Sequence, residues 1–201
     1  MGTRNLTMVI SDGTTRIAQY GQWDGYPSGQ GSTSLKFLHN CDVKKFKEQL
    51  ERCRFIESSK RKQTELENFF KKIGAPNGWM TGEQAEQYHK KYPFLTRDNG
   101  AEILNLIYEA KGTDNLWLHD STEFAADSLF CEWAYVIDLD KNTFEVYEGF
   151  NTQPLEEGQR FKDLKTEGEY TPVRMIKSYD INNLPTVDEF IRELEKQEEE
   201  A

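Results

Sequence analysis

Two short segments of mixed apolar and polar residues flank Asp12-Gly13, and this pattern constrains the fold more than any other feature of the chain. Both central positions of a tight two-residue hairpin turn need a positive φ, which Asp and Gly adopt at low cost. The sequence therefore predicts an antiparallel hairpin over residues 3–20.

A two-residue turn at this place fixes the pairing of the two strands. Met8 then faces Ile17, and Leu6 faces Gln19, on a face that we expect to lie in the core. Arg4 lies near Gln19 at the end of the same face. Polar groups in such a position must be paired or must contact a ligand.

The segment 18–31, AQYGQWDGYPSGQG, follows directly and is the strongest candidate for a ligand site. Its glycines permit unusual backbone angles and close approach of a ligand. We expect an anionic group to bind Arg4, aromatic rings of a ligand to stack on Trp23 and Tyr26, and Asp24 to accept hydrogen bonds or act as a base. The predicted ligand-binding residues are Arg4, Gln19, Tyr20, Gln22, Trp23, Asp24, Tyr26 and Gln30.

The same residues also admit a purely structural interpretation. WDGYP can form an aromatic turn that plugs the end of the sheet, with Asp24 capping its own backbone before Gly25. The glutamine amides can equally belong to a satisfied structural network. The segment is not a phosphate loop, because no lysine follows its glycines in the required pattern.

A second hairpin is predicted where EWAYVIDLD and TFEVYEGF flank Lys141-Asn142. A two-residue turn there places Asp138 opposite Glu145 on the outer face. Like charges in that position repel each other, so we expect both carboxylates to be exposed to solvent, with a bound cation as the alternative.

The elements between and after the hairpins are predicted to be mainly helical. Helical spacing and capping residues indicate a helical insertion at about 42–111 and an acidic C-terminal helix at about 186–199. The predicted helix caps are Asp42, Thr81 with Gln84, Asp98, and Thr186 with Glu189. The fold class is α+β, a single domain over 1–201 with an antiparallel sheet that is built from the two hairpins and covered by helices.

Composition limits the classes of function. The net charge of −10 argues against general nucleic-acid binding, and no apolar run is long enough to span a membrane. The N-terminus lacks a signal-peptide pattern, and three cysteines without a CxxC motif suit a reducing compartment, so we expect a cytoplasmic location. We expect no cofactor and no metal, because His39 and Cys41 alone are too few ligands.

Catalytic motifs are few. Cys131 has His119 and Asp120 upstream, but a cysteine beside a core strand is more often a small buried residue. Gly2-Thr3 before a strand resembles the start of the N-terminal-nucleophile hydrolases, in which a freed Thr attacks with its own amine as base.

The strings TRNLTMV, AQYGQWDGYPSGQG, DSLFCEWAYVIDLD and EVYEGF together resemble a widespread family of small proteins from bacteria, phages and fungi. The resemblance covers most of the chain, and the QWDGYPxGQG string is highly specific. It implies no activity and no catalytic residues, because none is established for that family. The glutamate-rich C-terminus departs from the family pattern.

The sequence therefore leads to two main hypotheses of function. The first is a protein that binds or hydrolyses a small molecule or nucleotide at the Gln/Trp/Asp/Tyr pocket. The second is a protein-interaction or inhibitory module that acts through the acidic segment 113–169. One form of this hypothesis is that the module is encoded by a phage. A hydrolase with Thr3 as its nucleophile is a third. The sequence does not specify an oligomeric state.

Overall fold

The computed structural model of the chain describes residues 2–166 and 168–200, with side chains described as far as Leu194. The strands are β1 Asn5–Ser11, β2 Thr14–Gly21, β3 Cys53–Phe55, β4 Leu116–Leu118, β5 Trp133–Asp138, β6 Thr143–Glu148 and β7 Arg174–Asp180. The α-helices are α1 Ser32–Asn40, α2 Val43–Leu50, α3 Lys60–Lys72, α4 Gly82–Lys91, α5 Glu102–Tyr108 and α6 Val187–Glu200.

The first hairpin forms at the predicted turn, but its register differs from the prediction. Asp12 and Gly13 both have positive φ, at 55° and 66°. A β-bulge between Val9 and Ile10 then shifts the pairing, so that Met8 faces Ala18 rather than Ile17. The shift is one residue, and it therefore turns the predicted partners on β2 to the opposite face of the sheet.

The second hairpin also forms, with a four-residue loop over 139–142 in place of the predicted two-residue turn. The Asp138 carboxylate accepts hydrogen bonds from the backbone N–H groups of Asp140 and Lys141, and these bonds fix the longer loop. Asp138 therefore faces Thr143 rather than Glu145. The shift is two residues, so each side chain stays on its predicted face.

The two hairpins join in one five-stranded sheet of order β2-β1-β5-β6-β7, which confirms the α+β class. The sheet is mixed rather than wholly antiparallel, because β1 and β5 run parallel at its centre. The remaining strand of this sheet, β7, pairs with β6 at the edge. Within the described residues, no helix is long and apolar enough to cross a bilayer.

Both faces of the sheet are buried. One face packs against helices through a cluster that includes Val9, Ile17, Tyr135, Phe144 and Phe190. The other face carries Leu6, Met8, Val136 and Tyr147 and is covered by the long loop after β6 through Phe161. The β5 strand is consequently buried along its entire length.

The predicted helix starts are mostly confirmed. The Asp42 side chain accepts hydrogen bonds at the start of α2, and Thr81 with Gln84 forms a reciprocal capping box for α4. Thr186 and Glu189 make the same exchange before α6. The predicted cap of α5 is wrong, because Asp98 lies in a separate 3₁₀ turn at Arg97–Asn99 and Ala101 occupies the cap position.

The sequence did not predict the short parallel pair β3 and β4. Phe55 lies opposite Leu118 in this pair. Each strand has only three residues and no hairpin turn joins them, so neither carries a periodic signal of its own. The pair brings the residues after β3 next to those after β4, which matters for the site described below.

Candidate functional site

The QWDGYP loop is anchored to the sheet at its centre. The Gly25 N–H donates to the Thr3 carbonyl at 3.0 Å, and the Tyr135 hydroxyl donates to the Gly25 carbonyl at 2.7 Å. A Cβ atom at Gly25 would lie 2.7 Å from the Thr3 carbonyl oxygen, so only glycine allows this approach. The middle of the loop therefore has a structural role.

Two of the predicted ligand-binding glutamines are also committed to the backbone. The Gln30 amide donates to the Trp23 carbonyl and accepts from the Ala101 N–H. The buried Gln19 amide donates to the carbonyls of Tyr20, at 2.7 Å, and Thr96, at 3.2 Å. These contacts match the structural interpretation of the glutamine network.

Trp23, Asp24 and Tyr26 project outward instead. The Trp23 and Tyr26 side chains are 56% and 52% exposed. Asp24 has a φ of 54°, and among the described residues its carboxylate has no hydrogen-bond partner, so the predicted cap of its own backbone is not formed. A left-handed backbone at a residue other than glycine costs free energy.

Arg4 does not join Gln19. The Arg4 guanidinium lies 4.7 Å from the centre of the Phe130 ring, whereas the Gln19 amide reaches Thr96. The bulge in the first hairpin explains the separation, because it places Gln19 opposite Thr7 and so on the other face. The eight predicted residues therefore do not converge on one pocket.

Three of them do line or support a cleft that the sequence did not predict. The cleft has a volume of about 320 Å³ and lies between the end of β2, the turn after α4 and the segment after β4. Its lining residues are Gln19, Tyr20, Leu95, Arg97, His119 and Ser121.

Arg97 is held at this cleft by Tyr20 and Gln22. Its guanidinium carbon lies 5.2 Å from the centre of the Tyr20 ring, and its Nη2 donates to the Tyr20 hydroxyl and to the Gln22 amide oxygen. The Tyr20 hydroxyl donates in turn to Gln22 at 2.6 Å. The carboxylate nearest to Arg97 is that of Asp98, 3.9 Å from its Nε on the adjacent residue.

His119 is oriented by a carboxylate on the same side of the molecule. Its Nδ1 lies 2.8 Å from Glu57 Oε1, and Glu57 Oε2 accepts from the Asp120 N–H at 3.2 Å. The contact follows from the β3–β4 register, because Phe55 pairs with Leu118, Glu57 lies two residues after Phe55, and His119 lies one residue after Leu118. Among the described residues, the His119 Nε2 has no hydrogen-bond partner.

A second polar cluster lies inside the fold. Arg160 donates to Asp138 at 2.7 Å and to Glu145 at 2.9 Å, and Tyr147 donates to Glu145 at 2.7 Å. The prediction that both carboxylates are exposed is wrong, because the loop after β6 covers them and supplies this guanidinium.

The electrostatics of this cluster follow from its contacts. Burial alone would raise the pKa of Asp138, but the Arg160 guanidinium and the backbone N–H groups of the loop lower it from its ordinary value. Burial and the neighbouring carboxylate of Glu145 raise the pKa of Tyr147. The cluster fastens the loop to the sheet.

Among the described residues, the predicted pair of Cys131 and His119 does not form. Cys131 is buried, which raises its pKa, and its thiol contacts the Trp133 carbonyl rather than His119. Within the described part of the chain, no three His, Cys, Asp or Glu side chains come together as metal ligands. Thr3 is buried at the start of β1, and its role as a nucleophile stays a prediction.

No family model, curated protein or solved structure matches this chain. The family resemblance of the QWDGYPxGQG string therefore stays a prediction.

Proposed function

We propose that this protein binds a small anionic molecule in the cleft of Arg97 and His119. The observation that carries the proposal is the contact of the Arg97 guanidinium with the Tyr20 ring, which the side chain makes although it is 65% exposed. The cleft lining contains Arg97 and His119 and no carboxylate, although the whole chain has a net charge of −10. Asp98 and Glu57 lie beside these two residues but outside the lining, so the case for an anion rests on the guanidinium donors that face the cleft and not on the net local charge.

The chemistry of the lining suggests how such a ligand is recognised. A guanidinium binds carboxylate and phosphate groups through paired N–H donors, and its orientation by Tyr20 and Gln22 reduces the entropy lost on binding. Leu95 supplies an apolar wall for the organic part of the ligand. Nucleotide monophosphates and small carboxylic acids both have this combination of groups.

The test is ligand-dependent thermal unfolding with inorganic phosphate, succinate and adenosine monophosphate as probes. A ligand present at 100 times its Kd stabilises the folded state by about 2.7 kcal/mol. We expect at least one probe to raise the melting temperature of the wild type and to lose that effect in Arg97→Gln. Arg61→Gln is the matched control, because Arg61 is exposed on α3. The proposal is contradicted if the probes stabilise Arg97→Gln as much as Arg61→Gln, or if no probe stabilises the wild type.

A second candidate function is favoured by the exposed aromatic residues at one end of the sheet. Three loops lie at this end of the sheet, namely those after β2, before β5 and after β6. Their common position follows from the pairing of Asn5 with Gly21 and with Trp133. These loops expose Trp23, Tyr26, Leu129, Phe130 and Phe150. Exposed aromatic clusters of this kind are common at protein interfaces.

We infer that, if the chain is an interaction module, a partner protein docks on this end of the sheet rather than on the acidic segment as a whole. Part of the acidity of 113–169 is internal, since Asp138 and Glu145 are buried against Arg160. A photo-cross-linking amino acid at Trp23 should give a discrete cross-linked product in cells. The same substitution at Trp79, which is 89% exposed on another loop, should not. Identical products from both sites contradict this candidate.

A cytoplasmic location fits both candidates. All three cysteines are free thiols, as is usual in a reducing compartment.

A further inference from the structure

We propose that the cleft hydrolyses a small anionic ester, with His119 as the general base and Glu57 as the residue that positions it. This inference rests on the proposed binding function, because the same cleft must first hold the anionic group of the substrate. It adds a reaction and assigns roles to two residues that the sequence did not single out together.

The geometry of the Glu57–His119 pair carries the argument. The Glu57 carboxylate is held at both oxygens, by the His119 ring at 2.8 Å and by the Asp120 N–H at 3.2 Å. A carboxylate that accepts from Nδ1–H fixes the tautomer in which Nε2 carries a lone pair. His119 also lines the cleft, and among the described residues its Nε2 has no other partner.

The His119 and Glu57 side chains are 42% and 50% exposed, and the pair differs from a local surface ion pair in the elements that bring it together. Glu57 and His119 are 62 residues apart in sequence and follow β3 and β4, and the β3–β4 pairing brings them together. Arg97 lines the same cleft and provides the cation that an anionic substrate needs. A base, the residue that orients it and an anion-binding group therefore lie at one site.

The proposed reaction needs only water as a second reactant. A water oxygen attacks the ester carbonyl carbon and forms a new C–O bond while His119 Nε2 takes a proton from that water. The tetrahedral intermediate then collapses, the bond to the alcohol oxygen breaks, and the imidazolium returns its proton to that oxygen. The products are a carboxylic acid and an alcohol, and His119 is neutral again.

Water is the nucleophile in this proposal rather than Ser121. The Ser121 hydroxyl lies in the same cleft but makes no hydrogen bond with His119 in the described structure, so it is not activated as a nucleophile there.

The experiment measures release of 4-nitrophenol from two probes, mono(4-nitrophenyl) succinate, which carries a carboxylate, and the neutral 4-nitrophenyl acetate. We expect the wild type to turn over the succinate ester, and His119→Gln to lower kcat by about 100-fold or more. His89→Gln is the matched control, because His89 is exposed on α4 outside the cleft. Equal rates for the wild type and His119→Gln overturn the proposal.

Two further variants separate the roles. Glu57→Gln should lower kcat by at least about 10-fold with an unchanged KM, because it disturbs the base and not the binding of the anion. Arg97→Gln should raise KM for the succinate ester only. A Glu57→Gln variant that changes KM but not kcat overturns the positioning role. An acyl group found by mass spectrometry on Ser121 overturns the assignment of water.

Failure of this inference and failure of the proposed function are distinguishable. If succinate stabilises the wild type but not Arg97→Gln, and ester turnover does not depend on His119, the cleft binds anions without catalysis. If no anionic probe stabilises the wild type, the binding function itself is wrong. The melting temperature of each variant reports whether it is folded.

Discussion

Replacing Arg160 with methionine is expected to destabilise the protein strongly at neutral pH. Arg160 makes three contacts with the buried carboxylates of Asp138 and Glu145, at 2.7, 2.9 and 2.9 Å. A hydrogen bond to a charged group contributes about 1.5–3 kcal/mol, which gives a gross loss of roughly 5–9 kcal/mol. Relaxation of the surrounding structure and protonation of the carboxylates recover part of this loss. Removal of one partner from a buried ion pair typically costs about 3–5 kcal/mol, and this is the loss that we expect.

The effect should depend on pH, with a defined sign. The folded state lowers the pKa of Asp138 below its ordinary value of 3.8. The stability that this carboxylate contributes is therefore present above its ordinary pKa and is lost as the pH falls through the lower folded value. In Arg160→Met the guanidinium is gone and burial favours the protonated acid. The difference between the variant and the wild type should shrink between pH 7 and pH 4.

Urea unfolding, monitored by tryptophan fluorescence, measures the free energy of unfolding of the wild type and of Arg160→Met at pH 7 and pH 4. A loss of 3–5 kcal/mol in a chain of this length corresponds to a fall in melting temperature of roughly 6–20 °C. Lys162→Met is the matched control, since Lys162 lies on the same loop but pairs with the exposed Glu157. The reasoning fails if both variants lose the same free energy, or if the loss in Arg160→Met is equal at pH 7 and pH 4.

The remaining predictions concern the loop, a helix and the thiols. Asp24→Gly should raise the free energy of unfolding by about 0.5–1 kcal/mol in urea titrations. The strain that glycine removes from the left-handed backbone exceeds the conformational entropy that glycine loses on folding. A lower free energy of unfolding would instead show that the Asp24 carboxylate has a structural partner. Gly31→Ala should cost about 1–3 kcal/mol, because its new Cβ would lie 2.8 Å from a core tyrosine ring, and an unchanged melting temperature would contradict this. The half-buried Cys41 should react first with a thiol reagent at pH 8, whereas Cys53, whose pKa burial raises to about 12, and the fully buried Cys131 should react only on unfolding. Simultaneous labelling of all three in the folded protein would contradict that order.

The sequence predicted local structure well where one short signal determines it. Asp12-Gly13 specified a hairpin turn, and Thr81 with Gln84 specified a helix start, because both signals act through backbone groups within a few residues. The register of the first hairpin was wrong because the bulge between Val9 and Ile10 depends on the packing of both sheet faces, which local sequence does not encode.

The candidate site was predicted in part, and the reason is again one of distance along the chain. Gln19 and Tyr20 were identified because they lie at the end of a predicted strand and precede a glycine-rich segment. The Glu57–His119 pair was not, since it depends on a three-residue strand pair without a periodic signal, and Arg97 was not, since its contacts with Tyr20 and Gln22 span 77 and 75 residues.

The parallel pairing of β1 with β5 also affects how the chain folds during synthesis. Arg4 and Glu132, which meet at the start of this pair, are 128 residues apart. At translation rates of about 5–20 residues per second, the first hairpin waits roughly 6–25 s for its central partner. During that time the inner edge of β1 is an unpaired and largely apolar strand, the kind of segment to which chaperones and neighbouring nascent chains attach. Because this closure spans so much of the chain, we expect the yield of folded protein to depend on growth temperature and on chaperone supply.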